Sequence, residues 1–123
     1  MAMDPAFPAS TAYGNKVIHL EVPNRLSDLQ MRQAILNASY QNGWEVTQSG
    51  QTDDAVLVQT SRKTPFAESN FTFLAEPGLI EVYSNYYALD ITGKRTRRYT
   101  PPVRINTIRD SLRENLEKAL AAY

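Results

Sequence analysis

NFTFLAEPGLIEVYSNYYAL, residues Asn70–Leu89, decides the fold of this chain. Two apolar-rich runs, Asn70–Ala75 and Ile80–Leu89, flank Glu76-Pro77-Gly78-Leu79. Proline and glycine at the second and third positions are the chemistry of a type II turn, so the stretch predicts an antiparallel hairpin. Period-two alternation puts Glu81, Tyr83, Asn85 and Tyr87 on one face of its second strand. Adjacent Tyr86 and Tyr87 then fall on opposite faces.

Upstream, Ala55–Arg62 (AVLVQTSR) and Trp44–Gln48 read as further strands, joined by the polar turn Ser49–Asp54, with Trp44 and Val46 inward. Before them lies a helix with a marked start. Ser27-Asp28-Leu29-Gln30 is a capping box, and Leu26 and Met31 take the two positions of a hydrophobic staple. Leu29, Ala34, Ile35, Leu36 and Ala38 are expected to form its buried stripe, and Asn42-Gly43 to end it. Lys16–Val22 alternates as a first strand, with Ile18, Leu20 and Val22 on one face and Val17, His19 and Glu21 on the other; Pro23 ends it.

Downstream, Asp90–Pro102 reads as a loop broken at Thr92-Gly93 and Pro101-Pro102. The last element is a helix from about Asn106 to Ala122, capped by Thr107 or Asn106. Ile105, Ile108, Leu112, Leu116, Ala119, Leu120 and Tyr123 repeat every 3.6 residues along it, and Glu114 and Lys118 make an i,i+4 pair. The element order is β-α-β-β-β-β-α. The expected fold is α+β, a two-layer sandwich of an antiparallel meander with both helices on one face. Residues 1–15 read as a flexible tail, partly vector-derived at MAMDPAF, and residues 16–123 as a single domain.

Composition removes several kinds of chemistry. With 123 residues the chain is long enough for one core. It contains no cysteine, which rules out thiolate nucleophiles, disulfides and cysteine-based zinc sites. His19 is the single histidine, and its place on an outer strand face makes it a surface residue without a nucleophile beside it. Asp53-Asp54 are neighbouring carboxylates in a polar turn, better explained as solvated than as an acid/base pair. No phosphate loop, dinucleotide fingerprint, calcium loop or HExxH spacing occurs. The patterns Asn37-Ala38-Ser39 and Asn70-Phe71-Thr72 lie on a helix and a strand, and are read as chance acceptors for N-glycosylation. No enzyme activity, cofactor or metal is expected. No apolar run approaches the roughly 18–20 residues of a membrane span.

Charge is balanced over the chain but unevenly placed. Residues 44–90 carry seven acids against Arg62 and Lys63, whereas residues 91–109 carry Lys94, Arg95, Arg97, Arg98, Arg104 and Arg109 and no acid. Such a basic segment can contact phosphates or another anionic partner, with Tyr83, Tyr87 and Tyr99 as stacking groups. The simpler reading is that tyrosines favour strands and the arginines neutralise the acidic half.

AILNASYQNGWEV (Ala34–Val46), IEVYSNYYALDITGKR (Ile80–Arg95) and LRENLEKAL (Leu112–Leu120) together resemble a group of small bacterial envelope lipoproteins of unknown function. In those, a helix ending in Gly-Trp leads into a meander, a Tyr-rich strand, a basic loop and a closing helix. The chain departs from them at Arg97–Pro102, where a His and a Tyr-Asn-Tyr element would stand, and it has no lipid-accepting cysteine, as a chain starting after the leader would not. The resemblance implies a periplasmic or cell-envelope location and an accessory, non-enzymatic role contacting a protein or an envelope polymer. The alternative is a cytoplasmic nucleic-acid-binding module built on the 94–104 segment. The Tyr-bearing sheet face, if uncovered, also offers a homodimer surface.

Overall fold

A computed structural model describes residues 13–51, 55–99 and 105–121. Its elements are β1 (Asn15–Glu21), α1 (Asp28–Gln41), β2 (Glu45–Gln51), β3 (Val56–Lys63), β4 (Ala67–Glu76), β5 (Leu79–Leu89), β6 (Arg95–Tyr99) and α2 (Ile105–Ala121). Among the described residues the strands form one antiparallel sheet in the order β1-β5-β4-β3-β2, with β6 also on β5. The fold is the expected α+β sandwich, and both helices pack on one sheet face.

The β4–β5 hairpin sets the frame. Pro77-Gly78 forms its turn, Gly78 has φ +85°, and Glu76 pairs with Leu79. The positive φ is what the turn requires and what glycine supplies without strain. From there the ladder runs without a break to Ala67 opposite Ala88. β1 pairs with the first half of β5 and β6 with its second half, so the long strand carries two shorter ones along one edge. The Asp90–Pro102 segment, expected as a loop, instead contains β6, which pairs with Tyr86–Leu89; an arginine-rich run carries no strand signal of its own.

Alternation places Val58, Phe73 and Val82 side by side beneath the helices, with Val56, Phe71, Ala75 and Ile80 around them. Trp44 closes one margin of this core with its ring edge-on to Phe71 at 4.6 Å. α1 contributes Met31, Ala34, Ile35 and Ala38, and α2 contributes Ile108, Leu112 and Leu116. Leu29 does not join them; it is 70% exposed. Helical geometry explains the correction, because two residues before Met31 is about 200° around the helix from it. Val17, expected outward, packs partly against the core, since β1 carries a bulge between Lys16 and Ile18.

The start of α1 matches its sequence signature. Gln30 N–H donates to the Ser27 hydroxyl at 3.1 Å and the Ser27 N–H donates to the Gln30 side chain at 2.8 Å. Leu26 and Met31 are both buried. Ser27→Ala should therefore cost about 1 kcal/mol. A lowered urea midpoint with an unchanged m-value would show it, and an unchanged midpoint would contradict it. In α2, Asn106 and Thr107 already lie within the helix and so are not its cap. Asn42 Nδ2 donates to the Ser111 hydroxyl at 2.9 Å, and Asn115 Nδ2 to Gln41 Oε1 at 3.0 Å, which tie the two helices together.

Candidate functional site

No described helix lies on the other sheet face. Its residues are the opposite register of the same strands: Leu57, Gln59, Ser61 and Lys63 of β3, then Glu68, Asn70, Thr72 and Leu74 of β4. Tyr83, Asn85 and Tyr87 of β5 continue the rows. This face divides into two halves. One is apolar, where Leu57, Leu74 and Tyr83 pack with Tyr13. Gly14 lets the chain approach closely there, because a Cβ on it would stand 2.1 Å from the Ser84 carbonyl oxygen.

The other half is a connected polar network centred on Glu68, which is buried although charged. Arg95 grips the Glu68 carboxylate with both Nε, at 3.2 Å from Oε1, and its terminal nitrogen on Oε2. Asn70 Nδ2 donates to Glu68 Oε2 at 2.7 Å and to Asn85 Oδ1 at 2.9 Å, and Asn85 Nδ2 donates to the Tyr13 carbonyl oxygen at 3.2 Å. Lys63 adds a longer ion pair to Glu68 at 3.8 Å. The Arg95 guanidinium lies 4.3 Å above the Tyr87 ring, a cation–π contact. Arg95 thus reaches from β6 across β5 to a carboxylate on β4.

These contacts fix the charge states. The bidentate Arg95 bond outweighs burial and, with help from Asn70, holds the Glu68 carboxyl below its ordinary range; the same bond raises Arg95. Burial pushes the Tyr13 and Tyr83 hydroxyls up, so both stay protonated at neutral pH. At the β1 margin, burial would raise Glu81, but Lys16 at 2.6 Å and His19 at 3.3 Å outweigh it and its carboxyl is lowered. A carboxylate so held is a poor general acid.

The network floors a shallow concavity of about 550 Å³, bounded by Glu45, Thr47, Ser61 and Lys63 as well as Glu68, Asn70 and Arg95. A second depression of about 280 Å³ continues from it past Gln59, Thr72 and Asn85 to Tyr13 and Tyr87. Its polar groups are mostly amides and hydroxyls, with two cations set against two carboxylates in the larger hollow.

The structure distributes the residues singled out from sequence. Arg95 and Tyr87 meet in this network. Tyr83 is only 5% exposed and packs with Tyr13 at 6.0 Å between ring centroids, so it is not an open stacking surface. Lys94 and Arg97 are exposed on the turn and strand beyond, and the backbones of Arg98 and Tyr99 belong to β6 opposite Tyr87 and Tyr86. Arg104, Asp53, Asp54 and Tyr123 lie outside the described residues. Sequence reasoning missed Glu68, Asn70 and Lys63. Their signal was present in the alternation of β3 and β4, but reading it needed the register between the strands. His19 is exposed, as expected, though its ring contacts Glu81. Among the described residues, no three histidine, aspartate or glutamate side chains gather as metal ligands, and no helix is long and apolar enough to cross a membrane.

Compared with family models, with curated proteins and with solved structures, the chain finds no match.

Proposed function

We propose that this chain is a non-enzymatic accessory domain that binds a hydroxyl- and amide-rich polymer, such as a glycan of the bacterial envelope, on the uncovered face of its sheet. The observation that carries this reading is the Glu68–Arg95–Asn70–Asn85 network. It spends the buried carboxylate on a fixed ion pair and leaves a rigid polar floor rather than a poised acid or base. Thr47, Gln59, Ser61 and Thr72 surround that floor with neutral donors and acceptors. A shallow, extended and charge-balanced hollow suits a length of neutral polymer better than a polyanion, which would need a surplus of cations. The envelope setting is taken from the resemblance of Ala34–Val46, Ile80–Arg95 and Leu112–Leu120 to the lipoprotein group.

Purified bacterial sacculi are the direct probe. The folded chain should co-sediment with them. Thr47→Trp, which fills the hollow from an exposed position on edge strand β2, should weaken that binding by about tenfold or more, a loss of ~1.4 kcal/mol. A single-stranded DNA probe at low salt is the comparison arm. Retention of DNA but not sacculi, with loss at higher salt, would replace the polymer reading by the nucleic-acid one.

A further inference from the structure

Two turns stand side by side at one end of the sheet. The β3–β4 connection runs through Thr64–Phe66 and the β5–β6 connection through Asp90–Lys94. Ala67 pairs with Ala88, and the Leu89 N–H donates to the Phe66 carbonyl at 2.8 Å, which locks the turns next to each other. Each turn displays one large apolar side chain: Phe66 is 80% exposed and Ile91 is fully exposed.

Neither exposure is slack chain. The Thr64 hydroxyl accepts from the backbone of Phe66 and Ala67, at 3.3 and 3.1 Å. Asp90 Oδ1 accepts from the Thr92 and Lys94 N–H groups, both at 2.9 Å, and from the Thr92 hydroxyl at 2.6 Å. Internal hydrogen bonds therefore hold an aromatic and an aliphatic side chain out in water, where their exposure is unfavourable.

The charge around them has one sign in excess. Among the described residues, Arg62, Lys63, Lys94, Arg95 and Arg97 flank the two tips, against Glu45, Glu68 and Asp90. Glu68 is paired with Arg95, and Asp90 is bonded into its own turn. We propose that this end of the sheet docks on an anionic lipid bilayer, with Phe66 and Ile91 entering the headgroup–acyl boundary and Lys63 and Lys94 meeting lipid phosphates. Two convex apolar tips in a cationic collar fit a fluid interface, which closes around them without a preformed groove. The surface adjoins the open-face hollow and shares Lys63 and Arg95 with it, but Phe66, Ile91 and Lys94 do not line that hollow, and the proposal holds whether or not the hollow binds a polymer.

Because the chain has no cysteine, a single thiol can be placed at will. Ile91→Cys carrying an environment-sensitive dye reports the tip. Leu29→Cys, exposed at the start of α1, reports the far end, since β1 leads to α1 from beside the Gly78 turn. The probe is vesicles of phosphatidylcholine with phosphatidylglycerol in roughly equal amounts, against phosphatidylcholine alone. Expected are binding to the anionic vesicles, weakened by salt, and a blue shift of the dye at position 91 but not at 29. Phe66→Ser with Ile91→Ser should lower the partition coefficient at least about tenfold. Lys63→Glu and Lys94→Glu should each lower it at least about fivefold. Circular dichroism confirms that these surface variants stay folded. The proposal falls if the folded chain ignores anionic vesicles, if the double serine variant binds unchanged, or if the dye responds at 29 and not at 91.

Discussion

Replacing Phe73 by alanine is expected to remove about 3–5 kcal/mol of stability, the largest effect of any single change considered for this fold. Phe73 sits at the centre of β4, fully buried, with Val58 opposite it on β3 and Val82 opposite it on β5. The two helices meet the sheet over this row, so the surrounding strands cannot collapse into the space the ring vacates. A domain of this size has only about 5–15 kcal/mol in total, so the variant should unfold at much lower urea or not fold at all at 37 °C. Phe73→Leu keeps most of the volume and should cost less than half as much. If the two variants lose equal stability, packing at this point is not what holds the sandwich together.

Arg95→Ala should cost about 1–3 kcal/mol, an unusual penalty for a residue whose side chain is half exposed. The loss arises at its partner, because Glu68 is left buried with Asn70 and a more distant Lys63 as its remaining contacts. Solvent reaching the vacated position keeps the figure below that of a fully buried pair. The pH dependence gives the sign. Glu68 has a folded-state pKa below its unfolded value, so its contribution is fully present above the unfolded value and is lost as pH falls through the folded one. In Arg95→Ala burial dominates and the carboxyl rises, so wild type and variant should differ most near neutrality and converge on acidification. Glu68→Gln, which removes the buried charge itself, should be milder than Arg95→Ala at pH 7. Denaturant midpoints across pH 3 to 7 would test this, with parallel curves for wild type and Arg95→Ala as the contrary result.

Part of this network is local to the hairpin. A two-residue turn at Pro77-Gly78 sets Glu76 against Leu79, and counting back along both strands puts Asn70 against Asn85; Glu68 opposite Tyr87 lies beyond the strand start expected at Asn70, because β4 begins at Ala67. The capping box at Ser27 and the α2 repeat Ile108, Leu112, Leu116 are equally local signals, and the structure shows both. Leu29 is a local miss: it is as apolar as its neighbours, and its angle to Met31 on the helix turns it to water. The other misses are non-local. Arg95 lies in a run of arginines, threonine and glycine with no strand signal; its alignment depends on β5 extending past β1 to offer a free edge, and on a bulge between Ala88 and Leu89. Tyr83 and Tyr87 look alike in sequence, yet Tyr13 arrives from the far end of the chain to bury the first and not the second.

The proposed role of the open sheet face is polymer contact. Backbone amide spectra of the folded chain, titrated with soluble fragments of digested sacculi, read that face residue by residue. Shifts are predicted at Thr47, Gln59, Asn70, Asn85 and Tyr87, with α1 and α2 unaffected. Spectra that do not change, or changes confined to the helices, would contradict it.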